Sequence, residues 1–125
     1  MKPLLLALPA IGALTFAASG MAAPAEQPGE KIYKARCAAC HSVAKGDGPG
    51  GMAPNLAGVV GRKAGSSEFK SFSPALKKSG LRWDRKNLDA YLKSPTKTVP
   101  GTRMMVSLPD DKQRADVIAF LASQK

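Results

Sequence analysis

The chain has 125 residues and carries an excess of positive charge, with 19 Lys and Arg against 9 Asp and Glu. This length is enough for one domain, and the charge favours acidic partners. The sequence has no long basic run and no basic motif interleaved with aromatic residues, which argues against nucleic acid as a partner. Because the basic residues are spread along the chain, we expect an acidic protein partner instead.

The first part of the chain has the pattern of a secretory signal peptide. Lys2 is followed by an uncharged run rich in Leu and Ala, and small residues gather near the end of that run. We predict a signal peptide over residues 1–23, with cleavage between residues 22 and 25. Residues 24–125 then form the mature domain, for which no stable membrane insertion is expected. The alternative is a retained membrane anchor, which the length of the run allows but its prolines and glycines disfavour.

After the leader, the apolar spacing predicts helices separated by long loops. A first helix begins near Gly29, and the Gly- and Pro-rich stretch over residues 45–54 predicts a loop. Ser73 is a typical N-cap, Pro74 suits the first helical position, and Gly80 suits the end of a short second helix.

Two further helices are predicted in the C-terminal half. Asp84 is a good N-cap for the third helix, and Pro95 lies just past its end. The stretch 94–107 contains more turn residues and predicts a loop. The last helix starts near residues 107–109, and its apolar stripe consists of Val117, Ile118, Phe120 and Leu121. No segment alternates as a strand does, so the predicted fold class is all-α.

Long loops and few aromatic residues leave little core for so small a domain, which is typical of a chain that wraps a large ligand. The segment Cys37-Ala38-Ala39-Cys40-His41 indicates the ligand, because C-x-x-C-H is the haem-attachment signature. Two thiols about one helical turn apart can add to the two vinyl groups of one haem, and the imidazole that follows can ligate the iron. We therefore predict one haem c, attached covalently through Cys37 and Cys40.

Three other interpretations of the cysteines are weaker. A thioredoxin-like C-x-x-C usually lies beside a βαβ pattern, which is missing here. A structural zinc site needs four ligands, and the chain has no Cys or His beyond Cys37, Cys40 and His41. A disulfide over two residues closes too small a loop to stabilise much, and it leaves His41 unexplained.

Several motifs between Gly29 and Leu121 occur in the order of a known family. They are Gly29-Glu30-Lys31-Ile32-Tyr33, the C-x-x-C-H segment, Ala53-Pro54-Asn55-Leu56, Gly61-Arg62-Lys63, Gly80-Leu81-Arg82-Trp83, Tyr91-Leu92-Lys93-Ser94-Pro95, Pro100-Gly101-Thr102-Arg103-Met104 and Ala115-Asp116-Val117-Ile118-Ala119-Phe120-Leu121. On these motifs the chain resembles the class I c-type cytochromes, among them the mitochondrial and bacterial carriers. The resemblance implies the small cytochrome c fold, with about four helices and long loops wrapped around the haem.

The resemblance also implies the iron ligands. In this family the Met that closes the P-G-T-x-M segment is the sixth ligand, which implies His41 and Met104 as the metal ligands and Met105 as a neighbour that points away. Contact between the first and last helices is implied at Gly29, Tyr33 and Phe120.

Four supporting residues around the haem follow from the same resemblance. Pro54 offers its carbonyl to the Nδ1 proton of His41, which fixes the ring and raises its basicity. Tyr91 donates its hydroxyl near the Met104 sulfur. Trp83 and Arg62 donate to the haem propionates, which need donors in a poorly solvated crevice.

Three positions depart from the family pattern. Phe72 stands where many relatives have a Tyr that reaches a propionate, so that hydrogen bond is lost. Leu76 replaces a frequent Asn, and Val106 stands where a Phe often follows the ligand pair. None of the three removes an iron ligand.

His/Met ligation implies a one-electron carrier and not an enzyme, because both axial positions are filled, and the leader implies that the carrier is periplasmic. The family docks acidic redox partners at an exposed haem edge, and Arg36, Lys97 and Arg103 flank the ligating segments here. We expect a monomer. Members of this family serve respiratory chains among other systems, so the sequence does not identify the electron donor or acceptor. Two alternatives are a haem peroxidase or ligand sensor without the Met104 bond, and a subunit tethered to a larger complex by an uncleaved leader.

Overall fold

A computed structural model describes residues 25–48 and 52–125, together with Gly20. Apart from Gly20, the predicted signal peptide lies outside this part of the chain, and so do residues 22–24 at its predicted cleavage site. Five helices are present in the described residues: α1 (Pro28–Arg36), α2 (Pro74–Lys78), α3 (Arg85–Lys93), α4 (Pro95–Thr98) and α5 (Asp111–Ser123). The same residues contain no strand, and one isolated antiparallel bridge joins Lys63 to Arg82. The predicted all-α class is confirmed.

Side-chain caps set the starts of three helices. In each case the cap accepts a hydrogen bond from the backbone N–H three residues further on, and the caps are Ser73, Asp84 and Asp110. The first two caps confirm the predicted starts of α2 and α3. The last helix begins at Asp111, later than predicted, because the backbone of Leu108 is bonded to Leu92 and the carbonyls of Leu108 and Pro109 are taken by Arg114.

The short helix α4 was not predicted. Pro95 marks the end of α3 in the sequence, yet it occupies the first turn of α4 in the structure. Proline is well tolerated there, since its missing N–H would have no partner inside the helix. The segment predicted as one loop over residues 94–107 therefore starts with a helical turn.

Helices α1 and α5 cross in close contact at Gly29. A Cβ at this position would overlap the carbonyl of Asp116 and lie 2.7 Å from the Cβ of Phe120. The rings of Tyr33 and Phe120 pack beside this crossing with their centroids 5.5 Å apart. The predicted contact between the first and last helices is confirmed, and the absence of a side chain at Gly29 is what permits it.

Helix α3 packs on both α4 and α5, and α5 also packs on α1. A cavity of about 390 Å³ is lined by side chains of α3 and α5 and by loop residues within 37–48, 52–73 and 99–110. None of the helices in the described ranges is both long and apolar enough to cross a membrane.

Candidate functional site

The two cysteines and the histidine lie on one helical turn that continues α1. The backbone N–H groups of Cys40 and His41 both donate to the carbonyl of Cys37, at 3.1 and 3.0 Å. All three side chains line the central cavity. Neither thiol is joined in a disulfide within the described residues, and burial raises the pKa of Cys37, which keeps it as a thiol. Both sulfurs are therefore positioned for covalent attachment to a ligand in the cavity.

The imidazole of His41 is oriented by a backbone carbonyl. Its Nδ1 lies 2.7 Å from the carbonyl oxygen of Pro54. Because a carbonyl only accepts, Nδ1 carries the proton and Nε2 keeps its lone pair for a metal. Burial lowers the pKa of His41, although the bond to Pro54 opposes this effect. A neutral imidazole is the form that binds iron.

The main chain of His41 has a second anchor, which the sequence did not indicate. The hydroxyl of Tyr33 donates to the carbonyl oxygen of His41 at 2.7 Å. Tyr33 is buried, so its ring packs on Phe120 while its hydroxyl connects α1 to the end of the C-x-x-C-H segment. The sequence shows a tyrosine at this position but does not indicate the acceptor of its hydroxyl, because that acceptor lies eight residues away along an irregular turn.

Replacing Tyr33 by phenylalanine is expected to lower the free energy of unfolding of the holoprotein by about 1 kcal/mol, the usual net contribution of one hydrogen bond. The ring contact with Phe120 is kept, so only the bond to the His41 carbonyl is lost. Urea denaturation followed by circular dichroism measures the change. A Tyr33→Phe variant as stable as the wild type would show that this hydrogen bond contributes nothing.

All eight residues predicted to bind the cofactor line the same cavity. They are Cys37, Cys40, His41, Pro54, Arg62, Trp83, Tyr91 and Met104. The walls are otherwise largely apolar, with Leu56, Val59, Leu76, Leu92, Leu108, Val117 and Leu121 among the lining side chains. This lining fits the chemistry of a haem. The two thiols suit its vinyl groups, the imidazole suits its iron, the apolar walls suit its ring, and the cationic and indole donors suit its propionates.

Met104 and Met105 differ in where their side chains lie. Both line the cavity, but Met104 is partly buried against the core, whereas Met105 is 75 % exposed. The backbone N–H of Met104 donates to the hydroxyl of Thr102 at 3.4 Å. Of the two methionines, Met104 is therefore the one placed to reach a ligand in the cavity.

Thr102 is a buried polar residue that the sequence did not single out. Its hydroxyl lies 2.6 Å from the hydroxyl of Tyr91, and either oxygen can be the donor. If Thr102 donates, the proton of Tyr91 is free to point at the Met104 sulfur, as the resemblance implies. Burial raises the pKa of Tyr91, so this hydroxyl keeps its proton.

The polar edge of the cavity contains Arg62 and Trp83. The Arg62 guanidinium donates to the carbonyls of Asn55 and Ala57, at 2.9 and 3.4 Å, and burial lowers its pKa. Such a half-buried cation gains from a nearby anion. Trp83 packs on Tyr91 with ring centroids 4.8 Å apart, and its Nε1 has no hydrogen-bond partner among the described residues.

The departures from the family pattern lie at the same cavity. Phe72 and Leu76 are buried and line it, and Phe72 packs edge-on against Phe69 at 5.1 Å. No hydroxyl or amide is present at these two positions to reach a ligand. Val106 is 42 % exposed at the rim. The cavity is thus more apolar on this side than the family pattern predicts.

Two of the three predicted docking residues lie at the cavity mouth. Arg36 and Arg103 line it, whereas Lys97 lies on α4 away from the lining. The Arg36 guanidinium donates to the carbonyl of Ser107 at 3.2 Å, and that of Arg103 to the carbonyl of Ser71 at 2.7 Å. Within the described part of the chain, no carboxylate pairs with either arginine, so both charges face the solvent uncompensated.

A helical chain with a C-x-x-C-H turn on an apolar cavity is a haem c protein, and comparisons with known proteins identify its family. The family described as cytochrome c matches residues 26–125. Cytochrome c2 from Rhodomicrobium vannielii is 47% identical over 113 residues, which cover 90% of this chain and 89% of that protein. Cytochrome c from Tetrahymena pyriformis is 47% identical over 96 residues, covering 76% and 84%.

A solved structure agrees with these sequence matches. Cytochrome cH from Methylobacterium extorquens superposes with a TM-score of 0.69 at 45% identity, covering 77% of this chain and 95% of that one. The chain belongs to the cytochrome c family. It therefore has the predicted small haem-wrapping fold and carries one haem c, bound covalently through Cys37 and Cys40. Members of this family are electron carriers.

Proposed function

We propose that the chain is a periplasmic one-electron carrier whose haem iron is ligated by His41 and Met104. The observation that carries this proposal is that one cavity brings together the Nδ1-anchored imidazole, the two thiols and the partly buried Met104. The haem supplies the reversible uptake of one electron. The chain's own residues hold the ligands, shield the cofactor from water and leave its edge accessible to a partner.

The two ligands suit electron transfer because hydrogen bonds within the protein fix the position of each one. His41 is bonded through its ring to Pro54 and through its main chain to Tyr33, and the segment before Met104 is bonded through Thr102 to Tyr91. A thioether ligand favours the reduced state and raises the potential relative to two histidines. Similar ligation in both oxidation states keeps structural rearrangement small.

Carbon monoxide binding separates this proposal from a peroxidase or ligand sensor. With Met104 on the iron, no coordination position is open, so we expect the reduced holoprotein to show no spectral change when carbon monoxide is added at neutral pH. Ready and stoichiometric binding would show an open site and would contradict the carrier proposal. The Met104→Ala variant provides the positive control, because it removes the competing thioether.

Reversing the charge of Arg103 is expected to slow association with an acidic redox partner about tenfold at low salt, since charges at the rim of an interface mainly change the association rate. Stopped-flow oxidation of the reduced protein, measured over a range of ionic strengths, reports this rate. Lys86→Glu is the matched control: it changes the net charge equally on α3, outside the cavity lining. If Arg103→Glu and Lys86→Glu have the same rates and salt dependence, the docking face lies elsewhere.

Export to the periplasm is proposed from the leader pattern of residues 1–23. We expect the mature haem protein in the soluble periplasmic fraction, with a new N-terminus between residues 22 and 25. Fractionation followed by mass spectrometry of the intact holoprotein tests both points. Recovery of the uncleaved chain in the membrane fraction would favour the tethered subunit instead.

A further inference from the structure

The segment that carries Met104 is anchored at buried residues near its two ends, and exposed arginines contact it between them. We call residues 99–110 the methionine loop. The Thr102 hydroxyl bonds its upstream end to α3, and downstream the N–H of Leu108 donates to the carbonyl of Leu92 at 2.8 Å. Between these anchors, residues 103–107 are exposed except for Met104. Two exposed hydrogen bonds hold this stretch, from Arg103 to the carbonyl of Ser71 and from Arg36 to the carbonyl of Ser107. Movement of Met104 away from the cavity therefore depends on how firmly the two ends are held.

Arg114 on α5 holds the downstream end. Its side chain is buried at 2 % exposure, and its Nη1 donates to the carbonyl oxygens of Leu108 and Pro109, at 2.9 and 2.8 Å. Its Nε donates to Asp89 at 2.8 Å, and its Nη2 pairs with Asp111. One guanidinium thus joins α3, α5 and the end of the methionine loop.

A buried cation at this position is stable because each nitrogen of the guanidinium has an acceptor. The planar group spans four acceptors in different directions, which the single ammonium of a lysine cannot do. An apolar residue here would leave the carbonyls of Leu108 and Pro109 without this donor. Arg114 therefore ties the backbone of the loop to two helices, and this contact is more than a surface ion pair.

We propose that Arg114 is a positioning residue for the sixth ligand: by holding the carbonyls of Leu108 and Pro109, it limits how often the Met104 sulfur leaves the iron. The proposal rests on Met104 being that ligand, as argued under the proposed function. Local opening of a loop has its own free energy, separate from that of global unfolding. Loss of one anchor lowers the opening free energy of the methionine loop while α1, α3 and α5 stay packed.

The rate at which imidazole displaces Met104 tests the proposal. At saturating imidazole, stopped-flow mixing with the oxidised holoprotein gives a limiting rate set by departure of the sulfur. Arg114→Lys is expected to raise this rate about tenfold, the effect of losing one or two charge-assisted hydrogen bonds. Before imidazole is added, the variant keeps the far-red absorption band of iron–thioether bonding, because the ligand itself is unchanged.

Two further variants make the result specific. Asp89→Ala removes the acceptor of Nε at a half-exposed site and is expected to raise the limiting rate about threefold, since a loosened guanidinium still reaches the carbonyls. Ile118→Ala is the control for general destabilisation, because Ile118 is buried in α5 but does not line the cavity. It is expected to keep the wild-type limiting rate while lowering the free energy of unfolding.

Wild-type limiting rates in both Arg114→Lys and Asp89→Ala would overturn the proposal, and so would an equal acceleration in Ile118→Ala. These outcomes differ from failure of the proposed function. If the oxidised wild type lacks the far-red band, Met104 is not a ligand, and the error lies in the ligand assignment instead of in the role of Arg114.

Discussion

Replacing Met104 by alanine is expected to lower the midpoint potential of the haem by on the order of a few tenths of a volt, because axial ligands set haem potentials over a wide range. As an iron ligand, the Met104 thioether would stabilise the reduced state. The other two methionines of the described cavity lining, Met52 and Met105, are both exposed. A spectroelectrochemical titration of the purified holoprotein measures the change.

Met105→Ala is the matched control for this experiment. It removes the same side chain one residue further on, where it is 75 % exposed, and the potential is expected to stay near that of the wild type. An unchanged potential in Met104→Ala would contradict the assignment. An equal fall in Met105→Ala would show that solvation of the cavity mouth, and not ligation, causes the effect.

Replacing Gly29 by alanine is expected to lower the free energy of unfolding by about 3 kcal/mol, at the upper end of the usual cost of overpacking a core. Alanine has a higher helix propensity than glycine, so this local effect alone would raise the free energy of unfolding. The new Cβ would overlap the carbonyl of Asp116 and press on Phe120. Helices α1 and α5 would have to separate, which urea denaturation of the holoprotein detects.

Gly48→Ala provides the matched comparison. No described atom lies within 4 Å of a Cβ at Gly48, and its backbone is not in the left-handed region. Its free energy of unfolding is expected to stay within about 0.5 kcal/mol of the wild type, as for most surface changes. If Gly29→Ala is as stable as Gly48→Ala, the close crossing of α1 and α5 is not required for stability.

The features that could be predicted from the sequence are those that depend on neighbouring residues. The C-x-x-C-H turn, the caps at Ser73 and Asp84 and the apolar stripe of α5 each lie within a few residues. Their physical causes are local, because a cap bonds to a backbone group three residues further on and a stripe repeats with the helical period. The family resemblance added the prediction that His41 and Met104, far apart in the chain, both ligate the iron, and the structure places both side chains at one cavity.

The features that were missed depend on contacts between distant segments. The bond from Thr102 to Tyr91 spans eleven residues, and that from Arg114 to Asp89 spans twenty-five. Neither a threonine in a loop nor an arginine in an amphipathic helix carries a local sign that it will be buried. The delayed start of α5 has the same origin, since Arg114 takes the carbonyls that would otherwise belong to its first turn.

The most direct test of a His41- and Met104-ligated electron carrier is the far-red absorption of the purified holoprotein in its oxidised state. We expect the weak band of iron–thioether bonding in the wild type and in Met105→Ala, and its loss in Met104→Ala. A wild-type spectrum without this band would contradict the ligand assignment and would favour a haem protein with an open or differently ligated iron.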